Sequence, residues 1–144
     1  MVLVVAGLVA TSLAVFALCG PVTRGADMNA WPESRIVYPG ARLVATATKD
    51  KVRPSWLDGN DYNAAELIKS YEVDISVPSG SIVTYYSRQL AALGWHDSTE
   101  VTLSAPGAGY CKPPNLAAFI TFPTTQRYTY TLQDVSADVL CGSG

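Results

Sequence analysis

The first hydrophobic feature of the chain is a block, not a period. Val2 to Cys19 (VLVVAGLVATSLAVFALC) runs without a charge and is softened only by Thr11 and Ser12. As a helix rising about 1.5 Å per residue it would reach roughly 27 Å, close to the ~30 Å hydrocarbon core of a bilayer. The apolar stretch of a cleaved signal is shorter, about 7–15 residues. Residues 1–23 are therefore expected to be a transmembrane anchor or signal segment. A signal or anchor normally carries a basic flank, and no Lys or Arg precedes this run, so the expectation is that the natural start lies upstream. Three fates stay open. The segment is retained as a single-pass anchor with the C-terminal part extracytoplasmic, or it is cleaved near Ala17 or Cys19 to give a secreted product, or Cys19 is acylated. Phe16-Ala17-Leu18-Cys19 resembles a lipobox except that Leu18 is bulky where a small residue belongs. Ala6, Ala10 and Ala14 share one helical face, a spacing that allows close helix approach in lipid; ordinary alanines in an apolar helix are the favoured explanation.

Behind this block the pattern becomes periodic. Residues 24–36 mix Gly, Pro, charge and small polar groups and read as a linker, with Trp31 at the bilayer interface or on the domain edge. Residues 37–144 read as an extracytoplasmic domain. In Arg42–Thr48, Leu43, Ala45 and Ala47 alternate with Arg42, Val44 and Thr46, which predicts a strand. Lys49–Asn63 is a polar loop. From Leu67 to Val77, Leu67, Lys69, Tyr71, Val73, Ile75 and Val77 point one way, against Ile68, Ser70, Glu72, Asp74 and Ser76. One apolar face suits an antiparallel sheet wet on its other side. Ile82 to Leu93 has helical spacing through Ile82, Tyr86, Leu90 and Leu93, with Ser79 or Ser81 as N-cap. Gly94 stands where a left-handed residue ends a helix, and Trp95 follows where it can pack back on Leu90. Further strands are expected at Glu100–Ser104, Leu116–Phe122 (central) and Arg127–Val135, with Ala105–Asn115 a turn-rich excursion. The fold class predicted is α+β: one helix packed on an antiparallel sheet, in the order β-β-α-β-β-β.

Composition then narrows the classes. The 144 residues are 49% hydrophobic, yet every Lys, Arg, Asp and Glu lies at or after Arg24, so the excess belongs to the leading block. The net charge is -2, which leaves no basic field for a nucleic-acid backbone. No nucleic-acid partner is expected. Of the three cysteines, Cys19 belongs to the apolar block, and Cys111 and Cys141 form the one pair available to an exported domain. That pair reads as a disulfide, which would stabilise by roughly 3–4 kcal/mol through loop closure. Two cysteines and one histidine do not make a four-ligand zinc site, so no metal is expected.

Candidate chemistry is sparse. His96 has Asp97 beside it, but neighbours on a strand point to opposite faces. Asp58-Gly59-Asn60-Asp61-Tyr62-Asn63 is oxygen-rich without the spacing of a calcium loop and reads as a polar turn, with Asp61 or Asn60 capping a short helix that competes with the strand start at Leu67. Glu72 and Asp74 share a strand face, where two carboxylates ordinarily just solubilise the surface. No P-loop, dinucleotide fingerprint, nucleophile elbow or HExxH motif is present, so neither a cofactor nor a catalytic residue is expected. Eight tyrosines and three tryptophans are many for this length. Tyr71, Tyr85, Tyr86, Tyr128 and Tyr130 fall at core periodicity, whereas Trp56, Tyr62 and Tyr110 fall in loops and are the candidate binding surface. Lys49, Lys51 and Arg53 form a basic cluster that reads as a solvated loop.

Tyr38-Pro39-Gly40-Ala41, a Ser-rich helix start and the run Tyr85-Tyr86 to Leu90, then Leu93-Gly94-Trp95, together resemble a group of small actinobacterial envelope domains. The resemblance covers about Tyr38 to Phe122 and implies an anchored or lipidated protein of this fold; it implies no activity. The loop at 49–63 and the Cys111/Cys141 pair depart from that pattern. The functional expectation is a membrane-tethered extracytoplasmic module that is not an enzyme and that binds another envelope protein or acts as an accessory subunit of a membrane complex. The alternative is a binder of cell-wall glycan or a small ligand through its loop aromatics.

Overall fold

The computed structural model describes residues 23–51, 64–98 and 106–135. The apolar block at 2–19, the loop carrying Trp56 and Tyr62, the expected strand at Glu100–Ser104 and Cys141 lie outside the described residues. Among the described residues no helix is long and apolar enough to cross a membrane.

The described residues form an α+β fold, one six-stranded antiparallel sheet with a single α-helix packed on it. The strands are β1 (Arg42–Lys49), β2 (Ala65–Glu72), β3 (His96–Ser98), β4 (Gly107–Lys112), β5 (Leu116–Thr124) and β6 (Arg127–Asp134), in the spatial order β1-β2-β6-β5-β4-β3. Helix α1 (Ser79–Ala92) joins β2 to β3 at the far edge. Ile82, Tyr86 and Leu90, one helical turn apart, are its buried stripe. They meet Leu67, Tyr71, Tyr128, Tyr130, Leu132 and Ile120 of the sheet.

The end of α1 is built by local sequence. Gly94 has φ +81°. Its amide donates to the carbonyl of Ala91 at 3.0 Å, and the Trp95 amide to that of Leu90 at 3.1 Å. These are the two bonds of a Schellman stop, and Trp95 and Leu90 are both buried in the core. The start of the helix differs from expectation. Pro78 is the N-cap and no side chain caps it; Ser79 and Ser81 lie inside the helix.

Four other expectations change. Residues 24–36 are no linker: they form two short 3-10 turns, Gly25–Ala30 and Pro32–Arg35, with Met28, Glu33 and Ser34 buried. The domain thus includes residues before position 37. In β1 a bulge between Leu43 and Ala45 breaks the simple alternation: Leu43 pairs with Tyr71 on the helix side, while Ala45 and Ala47 pair with Ser70 and Ile68 on the other. All eight β1 residues are exposed. β2 stops at Glu72, because Asp74 takes the Ser76 amide on its side chain (2.8 Å) and the Val77 amide on its carbonyl (3.0 Å), which turns the chain into the helix. The excursion at 105–115 contains β4, and among the described residues four strands, β3 to β6, follow the helix. Leu116–Phe122 lies centrally in β5, as its apolar composition predicts.

Candidate functional site

The strands carry two chemically different ends. At one end Asp134, the last residue of β6, is a buried hub. Thr23 Oγ1 donates to its Oδ2 (2.5 Å), Asn115 Nδ2 donates to its Oδ1 (2.6 Å), and Lys51 Nζ lies 3.9 Å away. Nearby, Glu33 is 5% exposed. Its Oε1 accepts from Trp95 Nε1 (3.0 Å) and Lys112 Nζ (3.1 Å). Burial pushes the Glu33 carboxyl up, but hydrogen bonds from Trp95, its own backbone and Lys112, with the Lys112 charge, outweigh it and leave the group below its ordinary value. The Glu33 carbonyl takes the Tyr130 hydroxyl (3.3 Å), and the Ser34 carbonyl takes Lys69 Nζ (2.8 Å). The Thr23 end is thereby fastened to the sheet.

At the opposite end lies a cleft of about 480 Å³. It sits between the 73–78 turn, the first turn of α1 and the β5–β6 hairpin. Val73, Ile75, Val77, Ile82 and Phe122 line it, with Thr124, Thr125 and Arg127 at its lip. That size falls within the range of clefts that hold ligands or anchor side chains, roughly 300–1,000 Å³. The local sequence makes it: Pro78 starts the helix, the Asp74–Ser76 turn projects Ile75 outward at 69% exposure, and the Val73 amide is held by the Gln126 carbonyl at 3.0 Å. Beside the lip, Glu72 is shared by Arg127 (Nη2, 2.6 Å) and Arg42. The Arg127 hydrogen bond, with the two guanidinium charges, holds Glu72 below the ordinary carboxylate range. A second, shallower depression of about 460 Å³ lies on the outer side of α1, between Tyr38, Pro39, Ser81, Thr84, Tyr85 and Arg88. There Tyr38 and Tyr85 meet edge to face at 5.5 Å.

Several residues singled out by sequence are placed elsewhere. Tyr110 is not a surface ring: it lies on β4, 1% exposed, with its hydroxyl 3.0 Å from Ser87 Oγ and 3.3 Å from the Val83 carbonyl. The loop reading missed β4, whose alternation is blurred by two glycines. Trp56 and Tyr62 lie outside the described residues. Glu72 and Asp74 do not form a pair, since Asp74 is in the turn and accepts from Ser76. Lys49 and Lys51 are matched to Glu66 (3.7 Å) and Asp134 (3.9 Å). His96 and Asp97 are exposed on β3 opposite Cys111 and Tyr110, hence on opposite faces. Cys111 is buried and is not a free thiol; Cys141 and Cys19 lie outside the described residues. Among the described residues no cluster of three His, Cys, Asp or Glu is placed to hold a metal. The cleft residues that sequence reasoning missed, Ile75 and Phe122 with Arg127, had one legible signal: an apolar residue at the tip of a turn.

The fold and site define a two-layer α+β domain with an apolar cleft at one end of its sheet. No protein family, curated protein or solved structure matches the chain.

Proposed function

We propose that this protein is a membrane-tethered, extracytoplasmic, non-enzymatic module that binds another envelope protein with the cleft end of its sheet. The resemblance to anchored actinobacterial envelope domains and a Cys111–Cys141 disulfide belong to the same reading. The observation that carries it is the separation of the two ends. Thr23, four positions beyond the apolar block, is bonded to Asp134 at one end of β6, and the cleft opens at Arg127 at the other. Seven residue steps at about 3.4 Å make roughly 24 Å between them. A domain tethered by residues 2–19 would present its apolar cleft away from the bilayer. Leu43, Val44 and Ile75, three of the exposed large hydrophobic residues, lie toward that same far end. Exposed apolar groups gathered at one end mark an interaction surface.

Photo-crosslinking in native membranes tests this. A photoreactive residue at Ile75 or Leu43 is expected to trap one common protein, and the same probe at exposed Ala26, near Thr23, is expected to trap none. Recovery of only free monomer from all three positions, or of the native protein wholly in the soluble cytosolic fraction, overturns the reading.

A second reading, binding of cell-wall glycan, is supported by the Tyr38–Tyr85 pair with Arg88 and the hydroxyls of Ser81 and Thr84 beside it. It predicts co-sedimentation with purified wall material that is lost in Tyr85→Ala and unchanged in Ile75→Asp.

A further inference from the structure

The chemistry at the cleft lip specifies what would dock there, and this inference rests on the cleft end being the docking surface. Among the described residues lining the cleft, Arg127 is the one that carries charge. Its side chain is 57% exposed. Its Nε (3.1 Å) and Nη2 (2.6 Å) both address Glu72 Oε1, and Arg42 Nη2 takes Oε2. Two guanidinium groups thus share a single carboxylate, which among the described residues leaves one positive charge in excess beside an apolar floor. Asp74, two residues beyond Glu72, is turned back onto its own loop, where Oδ1 accepts from the Ser76 amide (2.8 Å) and hydroxyl (2.7 Å). Protein interfaces commonly combine an apolar anchor in a pocket with a charged or polar rim, and arginine forms the strongest charge-assisted bonds to carboxylates. The bilayer is the weaker candidate occupant, because the tethering that the reading assumes holds the opposite end of the sheet against it.

We propose that the cleft receives a segment of a partner polypeptide in which an aliphatic side chain is followed or preceded, within two residues, by Asp or Glu. The aliphatic group occupies the space bounded by Val77, Ile82 and Phe122. The carboxylate pairs with Arg127 and Arg42 alongside Glu72.

The test uses the full chain in phosphatidylcholine nanodiscs, panned against a random-peptide phage library with empty nanodiscs as the counter-selection. The expected result is enrichment of peptides carrying Asp or Glu within two positions of Leu, Ile, Val or Met. A synthetic peptide from that pool should bind Arg127→Gln about ten- to a hundredfold more weakly, the range for losing a charge-assisted bond. Arg127→Lys should recover part of the affinity, and Ile75→Ser, which removes the apolar group without adding charge, should weaken binding at least tenfold; both residues are exposed, so the variants should keep the wild-type circular dichroism. Enriched peptides with no acidic bias that still fail on Ile75→Ser overturn this inference and leave the docking end standing. Peptides that lose binding with Arg127→Gln but not with Ile75→Ser show charge attraction alone and overturn the inference. No enrichment over empty nanodiscs, or peptides indifferent to both positions, overturn the inference and the docking reading together.

Discussion

The indole nitrogen of Trp95 donates to Glu33 Oε1 at 3.0 Å. This bond joins the residue that closes the helix to a segment 62 positions earlier, and Lys112 from β4 completes it at 3.1 Å. Glu33→Ala would leave the Trp95 donor and the Lys112 ammonium without this acceptor. We expect a loss of about 2–4 kcal/mol. Glu33→Gln keeps an acceptor for Trp95 and should lose less. Urea midpoints of the two variants measure the difference.

The same carboxyl sets an acid limit. Its folded-state pKa lies below the ordinary 4.5. A depressed carboxyl contributes stability that is present above its unfolded pKa and is lost as pH falls through the folded value. Wild-type stability should therefore decline as pH drops below about 4.5, and the Glu33→Gln variant should show a shallower decline over the same range. Identical acid profiles for the two proteins would contradict this.

Buried tyrosines set the alkaline limit. Burial pushes Tyr71 up to about 12 with a further contribution from Tyr128, and burial likewise raises Tyr86, Tyr110, Tyr128 and Tyr130. Raised groups favour the folded state below the unfolded tyrosine value of about 10, and that stability is lost as pH rises beyond it. Tyrosinate absorbance should therefore rise cooperatively, together with loss of circular dichroism. A smooth titration of all rings near pH 10 in a folded protein would be the contrary result.

Two glycines should respond differently to a methyl group. Gly94 has open space where a Cβ would stand, but its φ of +81° strains any L side chain. Gly94→Ala should cost about 1–2 kcal/mol and Gly94→Val more. At Gly25 a Cβ would overlap the backbone carbonyls of Lys49 and Glu66. Gly25→Ala should cost about 1–3 kcal/mol or more by overpacking, since backbone cannot swing aside as a side chain does. Thermal melts that leave either variant at the wild-type midpoint would refute the corresponding argument.

The tyrosine hydroxyls explain why the leading segment belongs to the core. Tyr86 donates to the Ile36 carbonyl (3.1 Å), Tyr130 to that of Glu33 (3.3 Å), and the Tyr38 amide donates to Tyr128 Oη (3.4 Å). Removing one of these hydroxyls, as in Tyr86→Phe, should destabilise by about 1 kcal/mol or somewhat more, because the bond is buried. Limited proteolysis should then cut first within residues 24–36.

What the amino-acid sequence determined by itself is local. The period of Ile82, Tyr86 and Leu90 makes one face of a helix. Gly94 supplies the single backbone conformation that stops it. The alternation through Leu67–Tyr71 and Tyr128–Leu132 fixes two strands and their buried face. These features need only neighbours within a turn or a strand, so they can be read along the chain. The tertiary structure decided the rest. Segment 24–36 carries a linker-like composition and became core because tyrosines and Trp95, distant in sequence, reach it. The β1 bulge follows from pairing with β2, which the β1 pattern does not encode. Tyr110 is buried because β4 joins β5 beneath α1. The cleft exists only where a turn, a helix start and a hairpin from three parts of the chain come together, and no local period records such a meeting.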